Sequence, residues 1–275
     1  MTPNPSTAKR DLLEFYVAAG VDAALGETAA DRLSPTPGGE HTVPSQPVPA
    51  QPSARPDPPP QRATDFAFAP APASPDIAVM AARETARSAA SLAELRDLLT
   101  RFEGCALRTT AKQLVFADGN PAARVMFVGE APGRDEDIAG LPFVGRSGKL
   151  LDLMIAAIGL DRTSAYIANV IPWRPPGNRT PTPQETQICL PFTLRQIELA
   201  NPDILVCLGG PSSQTLLGVK EGIKRTRGRW FTFHTGTRDI RAIATFHPAY
   251  LLRSPLEKRF AWRDLLAIRK ALDAS

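Results

Sequence analysis

Four positions along the 275-residue chain carry groups whose chemistry would combine: Glu130, Asn169, the Gly209-Gly210-Pro211-Ser212-Ser213 stretch and His247. A carboxylate can orient or deprotonate water, and an imidazole can donate to a developing anion near neutral pH. Asn169 offers one acceptor and two donors, the kind of group that reads the edge of a polar ring. The glycine-serine stretch opens a helix, where free amides beside Ser212 and Ser213 can take an anion. Taken singly, each has a plainer reading as a turn residue, a loop pin or a solvated charge. What they share is position: each follows a short apolar run.

Those runs are the elements that must deliver them. Residues 124–129, 165–170, 203–208 and 239–246 read as buried strands, the first ending at Gly129 and the third at Gly209-Gly210. Between and around them, residues 91–102, 147–158, 183–200 and 255–272 have helical spacing. Thr182 followed by Pro183 and Glu185 is a helix start, with Thr182 as N-cap. The alternation predicts an α/β fold, a three-layer α/β/α sandwich around a central four-stranded parallel sheet. Ligands of such sheets bind beyond the carboxyl ends of the strands, so the four groups would share one rim.

Composition sets the bounds. Thirteen of the 28 prolines fall between Pro35 and Pro75, where few large apolar residues are available to bury. Residues 30–85 are therefore expected to be a disordered, Pro-rich linker. Residues 1–29 would hold a short amphipathic helix around Leu12, Leu13, Phe15, Tyr16 and Val17, either capping the main domain or docking a protein partner. Residues 86–275 would form the catalytic domain. Residues 1–100 carry a net charge of −4 and residues 101–275 a net +8, so the folded part is the one suited to a polyanion. No stretch reaches the roughly 18 apolar residues of a membrane span. Three cysteines far apart and no secretory layout at the start fit a reducing cytoplasm.

One motif is a decoy. Gly140-Leu-Pro-Phe-Val-Gly145-Arg146-Ser147 approximates a phosphate loop with arginine for lysine. A phosphate loop follows its strand directly, whereas about ten residues intervene here, and its proline and phenylalanine suit a pocket wall better.

The longer pattern resembles family 4 uracil-DNA glycosylases. Gly129-Glu-Ala-Pro-Gly133, Glu136-Asp137 and Gly140 to Gly145 match the family's first motif. Tyr166-Ile-Ala-Asn169-Val, Arg174-Pro-Pro-Gly-Asn178-Arg179 and Phe246-His-Pro-Ala-Tyr-Leu-Leu-Arg253 continue it in order. The resemblance implies an enzyme that flips uracil out of DNA and hydrolyses its N-glycosidic bond. It implies that Phe143 stacks on the base within a pocket that includes Ala131 and Gly145. Asn169 would read the Watson–Crick edge, His247 would stabilise the departing base, and Glu130 would organise the water. Glu136 and Asn178 would be secondary catalytic candidates. Leu251 or Leu252 would be the wedge that fills the vacated stack, with Arg253 near a phosphate. Arg225 and Arg227, in the densest basic run, would either bind phosphates or form a solvated turn. DNA, single- or double-stranded, is the expected partner of a monomer. A glycosylase for another lesion, or a relative that binds nucleic acid without chemistry, are the competing readings.

The chain departs from the family pattern at the cofactor. Relatives carry four cysteines on a 4Fe-4S cluster; here Cys105 and Cys189 occupy two of those positions, and Phe102 and Trp173 the others. A cubane wants four thiolates or close equivalents. No cofactor is therefore expected, with aromatic packing in the cluster's place, although the family would imply one.

Overall fold

The computed structural model describes residues 75–274. The helix expected near the start of the chain, and the linker as far as residue 74, lie outside them. Helices α1 (Pro75–Ser88), α2 (Leu92–Arg101) and α3 (Leu107–Thr110) lead into strand β1 (Asp118–Gly119) and strand β2 (Val125–Gly129). Helices α4 (Arg134–Ala139) and α5 (Arg146–Ala156) precede β3 (Tyr166–Asn169), and α6 (Pro183–Ala200) precedes β4 (Ile204–Leu208). Then come α7 (Gly210–Leu217), α8 (Ile223–Thr226), β5 (Trp230–His234), β6 (Asp239–Thr245), α9 (Pro248–Arg253) and α10 (Lys258–Asp273).

The sheet has six strands in the order β1-β3-β2-β4-β6-β5. Its four central strands are parallel, as expected; β1 and β5 add antiparallel edges. The four-stranded expectation is corrected to this mixed sheet. β5 escaped the sequence reading because Trp230 follows a basic run and the strand is only half buried, the pattern of an edge rather than a core strand. The central strands, by contrast, are buried at every residue of β2, β3 and β4, because helices cover both faces.

Alternate strand residues sort into two apolar layers. Met126, Val128, Ala168, Leu205 and Cys207 pack with α1, α2 and α6; Val125, Phe127, Ile167 and Val206 pack with α5 and α10. Registers align the strand ends: Gly129 pairs with Asn169, and Leu208 with Thr245. The connection after β2 runs to one side and that after β4 to the other, so a crevice opens above them. The start of α6 is fixed by a reciprocal cap between Thr182 and Glu185, with Pro183 in its first turn.

The expected linker ends too late, since residues 75–85 belong to α1. Its buried face is a row of small residues, Ala78, Ala82 and Ala86, continued by Ala89. Alanines at a spacing of four let two helices approach closely without large side chains, which is why an argument from bulky apolar groups missed this element. Ala82 is fully buried. Ala82→Leu is expected to lower stability by about 1–3 kcal/mol through overpacking. Its denaturant midpoint should drop at an unchanged slope, and an unaltered midpoint would refute the tight helix contact.

Candidate active site

Beyond the ends of the parallel strands lies a cavity of about 690 Å³ lined by Glu130, Ala131, Phe143, Asn169 and His247, with Asn178 and Arg253 also on its wall. Its volume is in the range of small-molecule sites. Part of its wall is built where the ends of β2 and β3 pair, Gly129 opposite Asn169, beside the Phe143 ring. A Cβ on Gly129 would lie 2.4 Å from Asn169 Oδ1 and 2.6 Å from Phe143 Cζ, so glycine is what lets these two side chains pack over the strand end. Asn169 is 5% exposed, and its Oδ1 has no hydrogen-bond partner. Buried acceptors are seldom left so. Phe143 is also buried; its ring lies 5.4 Å from that of His247, tilted by 32°.

His247 caps α9, its Nδ1 accepting the Ala249 N–H at 3.1 Å. With Nδ1 an acceptor, the imidazole proton sits on Nε2. Desolvation, assisted by the positive charge of Arg253, pulls its pKa down to about 4. The ring is thus a neutral donor at neutral pH. Gly209, at φ +93°, lets β4 pass beneath it; a Cβ there would come 3.0 Å from His247 Cβ. Glu130 is half buried, and desolvation raises its carboxyl above the usual range. Its carbonyl accepts the Ile171 N–H at 2.9 Å, extending the β2–β3 pairing past the strand end.

Several expected site residues are turned elsewhere. Glu136 is a clamp: Oε1 accepts from Val144 and Gly145, at 3.1 and 3.0 Å, and Oε2 from Gly133 at 3.0 Å. Glu136 lines the cavity, but both its oxygens hold backbone amides, and Gly145 serves as its donor rather than as pocket lining. Asn178 reaches the rim, but its Oδ1 accepts from Arg174 Nε at 2.6 Å. Ser212 and Ser213 are fully buried; their hydroxyls donate to Val128 O and to the carbonyls of Gly209 and Gly210. Arg227 faces inward, with its guanidinium on the buried carboxylate of Asp264 and near the rings of Phe246 and Phe260. That pairing removes it from the DNA-binding candidates and leaves Arg225, which is exposed. Leu251 is 1% exposed in the core, so of the two wedge candidates only Leu252, 37% exposed, remains.

The cluster positions form an apolar centre. Cys189 donates its S–H to Cys105 across 3.8 Å, which draws the Cys105 thiol down, while that bond and burial push Cys189 up. Cys207 lies apart on β4, and burial pushes its thiol up to about 12. Phe102 and Trp173 are buried in the same core layer, and Phe102 packs edge-on against Phe192 at 4.9 Å. Among the described residues no group of three or more His, Cys, Asp or Glu is arranged to hold a metal. A donor set of two thiols, with aromatic rings in the other two positions, does not fit a four-thiolate cluster.

Sequence reasoning missed Arg162, which supports the Phe143 loop from behind; it stands in a short polar turn with no motif to mark it. It also missed the pairing of Arg174 with the buried Asp137, 3.8 Å apart. Among the described residues no helix is long and apolar enough to cross a membrane.

The sequence model of the Uracil DNA glycosylase superfamily matches residues 116–266. A type-4 uracil-DNA glycosylase of Archaeoglobus fulgidus is 43% identical over 155 residues, which is 55% of this chain and 78% of the relative. That of Thermotoga maritima is 44% identical over 159 residues, 58% of this chain and 81% of the relative. That of Saccharolobus solfataricus is 37% identical over 185 residues, 66% of this chain and 86% of the relative. On this similarity, and on the sheet whose strand ends carry the matching motifs, the chain belongs to the type-4 uracil-DNA glycosylases of the Uracil DNA glycosylase superfamily.

Proposed function

We propose that this chain extrudes uracil from DNA and hydrolyses its N-glycosidic bond to leave an abasic site, the first step of base excision repair. The observation that carries the residue assignments is the unpartnered Oδ1 of Asn169, a residue that lines the cavity together with Phe143 and His247. Uracil presents an N3–H to that oxygen and O4 to the amide nitrogen. Cytosine presents an acceptor and an amino group in the same places, so both contacts become repulsive. Phe143 stacks on the base. His247 Nε2–H donates to uracil O2 as the C1′–N1 bond breaks and its electron pair leaves on the base. Water adds to C1′, Glu130 orients it, and the proton passes to solvent or the leaving base. A neutral donor already in place stabilises the anion without reorganising during the reaction.

DNA is bound from the mouth side. Leu252 fills the vacated stack and offsets part of the few kcal/mol that extrusion costs. Arg253 and Arg225 contact phosphates, supported by their exposure beside the cavity and in the basic turn. The centre at Cys105, Cys189, Phe102 and Trp173 holds together by packing, without a cluster. The described cysteines are all free thiols, which supports a reducing cytoplasm.

An oligonucleotide with one uracil should be cut after alkali treatment, whereas thymine and cytosine counterparts should not. His247→Ala and Asn169→Ala should each lower single-turnover rate about 10²–10³-fold while binding to abasic DNA persists. Parental rates in both variants would remove these residues from the mechanism.

His247 also sets a pH window. Its folded pKa of about 4 lies below the ordinary 6.5, so between those values the unfolded chain binds a proton that the folded one does not. Stability therefore falls as pH drops through that window and is regained above it. The rate should show no inflection near the ordinary value of about 6.5. An inflection there that disappears in His247→Gln would contradict a neutral, desolvated ring. Finally, protein purified anaerobically should be colourless and keep full activity after treatment with an iron chelator. About four irons per chain, the content of a 4Fe-4S cluster, would overturn the packed centre.

A further inference from the structure

Phe143 is one of three non-glycine residues with positive φ among the described residues, at +54°. The other two are asparagines, which adopt that region readily; a bulky aromatic does not, and it stays there only where surroundings hold it. Two charged side chains hold it from opposite sides. Arg162, in the turn between α5 and β3, donates from Nη1 to Pro142 O at 3.1 Å and from Nη2 to Phe143 O. Its guanidinium is itself anchored, by Asp152 at 2.9 Å from Nε and by Asp118 on Nη1. Immediately downstream, Glu136 takes the N–H groups of Val144 and Gly145. Four successive residues are thus gripped, two carbonyls by a cation and two amides by an anion. Gly148 leaves room for this turn, since a Cβ there would sit 1.7 Å from Phe143 O.

We propose that Arg162 is a positioning residue for base recognition: anchored on Asp118 and Asp152, it works with Glu136 to fix the Phe143 ring against the extruded base. The proposal rests on the reading that Phe143 stacks on uracil. Arg162 lies outside the cavity lining, so it acts only through the loop. A planar fork reaching two carbonyls and two carboxylates is a task for which a single ammonium is a poor substitute. Misplacing a stacking ring by a fraction of its width costs binding of the base without touching the DNA surface.

The test uses the full chain with Arg162→Lys, Arg162→Gln, Phe143→Ala and the Arg162→Lys/Phe143→Ala double variant. Free uracil as competitive inhibitor reads the cavity, and an oligonucleotide with an abasic-site analogue reads the DNA surface. Arg162→Lys keeps a positive charge facing Asp118 and Asp152, so it remains informative where Arg162→Gln fails to fold. In Arg162→Lys, inhibition by uracil should weaken and the single-turnover rate fall about tenfold or more, while affinity for abasic DNA stays within about twofold. Because Arg162 acts through Phe143, the double variant should be no worse than Phe143→Ala alone. Parental uracil inhibition in Arg162→Lys, additive losses in the double variant, or an equal loss of abasic-DNA binding would each overturn the proposal. If Phe143→Ala leaves uracil inhibition intact, the stacking reading itself fails and takes the clamp with it. An inert Arg162 beside a sensitive Phe143 would refute the clamp alone.

Discussion

A buried carboxamide oxygen without a partner costs about 1–3 kcal/mol, and this fold bears that cost at Asn169 Oδ1. Everything around that atom prevents the cost from being relieved within the chain. Gly129 has no side chain, which lets Asn169 Oδ1 and the Phe143 ring close over it, and Phe143 is held in a backbone conformation that aromatic residues avoid. Neighbouring polar groups spend their hydrogen bonds on backbone: Glu136 on three amides, and Ser212 and Ser213 on carbonyls. An acceptor without a partner in the chain is suited to a group that brings an N–H to it. In the proposed reading specificity would follow from the same feature, since a ligand edge of the wrong polarity would add a second unsatisfied group rather than remove the first.

The same economy appears in the charge at the mouth. Arg253 lowers the proton affinity of His247 by its positive charge, adding to desolvation. A cation there does two things at once. It favours the neutral donor form of the ring inside, and it presents positive charge outside, where a phosphate backbone would lie. Placed deeper, the same guanidinium would need a buried partner, as Arg227 needs Asp264. Arg227 and Arg225 are two residues apart in sequence and have opposite fates, decided by which one meets the Asp264 carboxylate.

That contrast marks the limit of what the sequence could tell. The central strands were legible because continuous apolar runs ending in glycine or a polar residue have few other interpretations, and the rim followed from the strand ends. The direction in which each side chain points was not legible. Leu251 and Leu252 are chemically identical neighbours, and helical phase alone buries one and exposes the other. Ser212 and Ser213 stand at a helix start that suits an anion, yet both hydroxyls are taken by carbonyls that sequence cannot locate. Arg162 meets Phe143 across a separation of 19 residues, through partners at Asp118 and Asp152 that no local pattern connects. Helix α1 was hidden by its composition, because alanines signal close packing only once the facing helix is known.

If aromatic rings stand in for cluster ligands, as proposed, what anchors the rim changes. A metal centre ties distant segments together through bonds whose strength depends on redox state and metal supply. Phe102 and Trp173 do it by burial, worth about 1.5–3 kcal/mol for each large side chain taken from water. The ring of Phe102 needs the space over residue 104, where a Cβ would come 2.5 Å from its Cζ, so the exchange required a glycine as well as an aromatic. Trp173 is followed at once by Arg174, which holds Asn178 Oδ1 and approaches the buried Asp137 carboxylate. Burying Trp173 therefore fixes the origin of the segment that builds one side of the mouth. In the proposed reading, geometry at the active site would thereby depend on packing rather than on a metal centre.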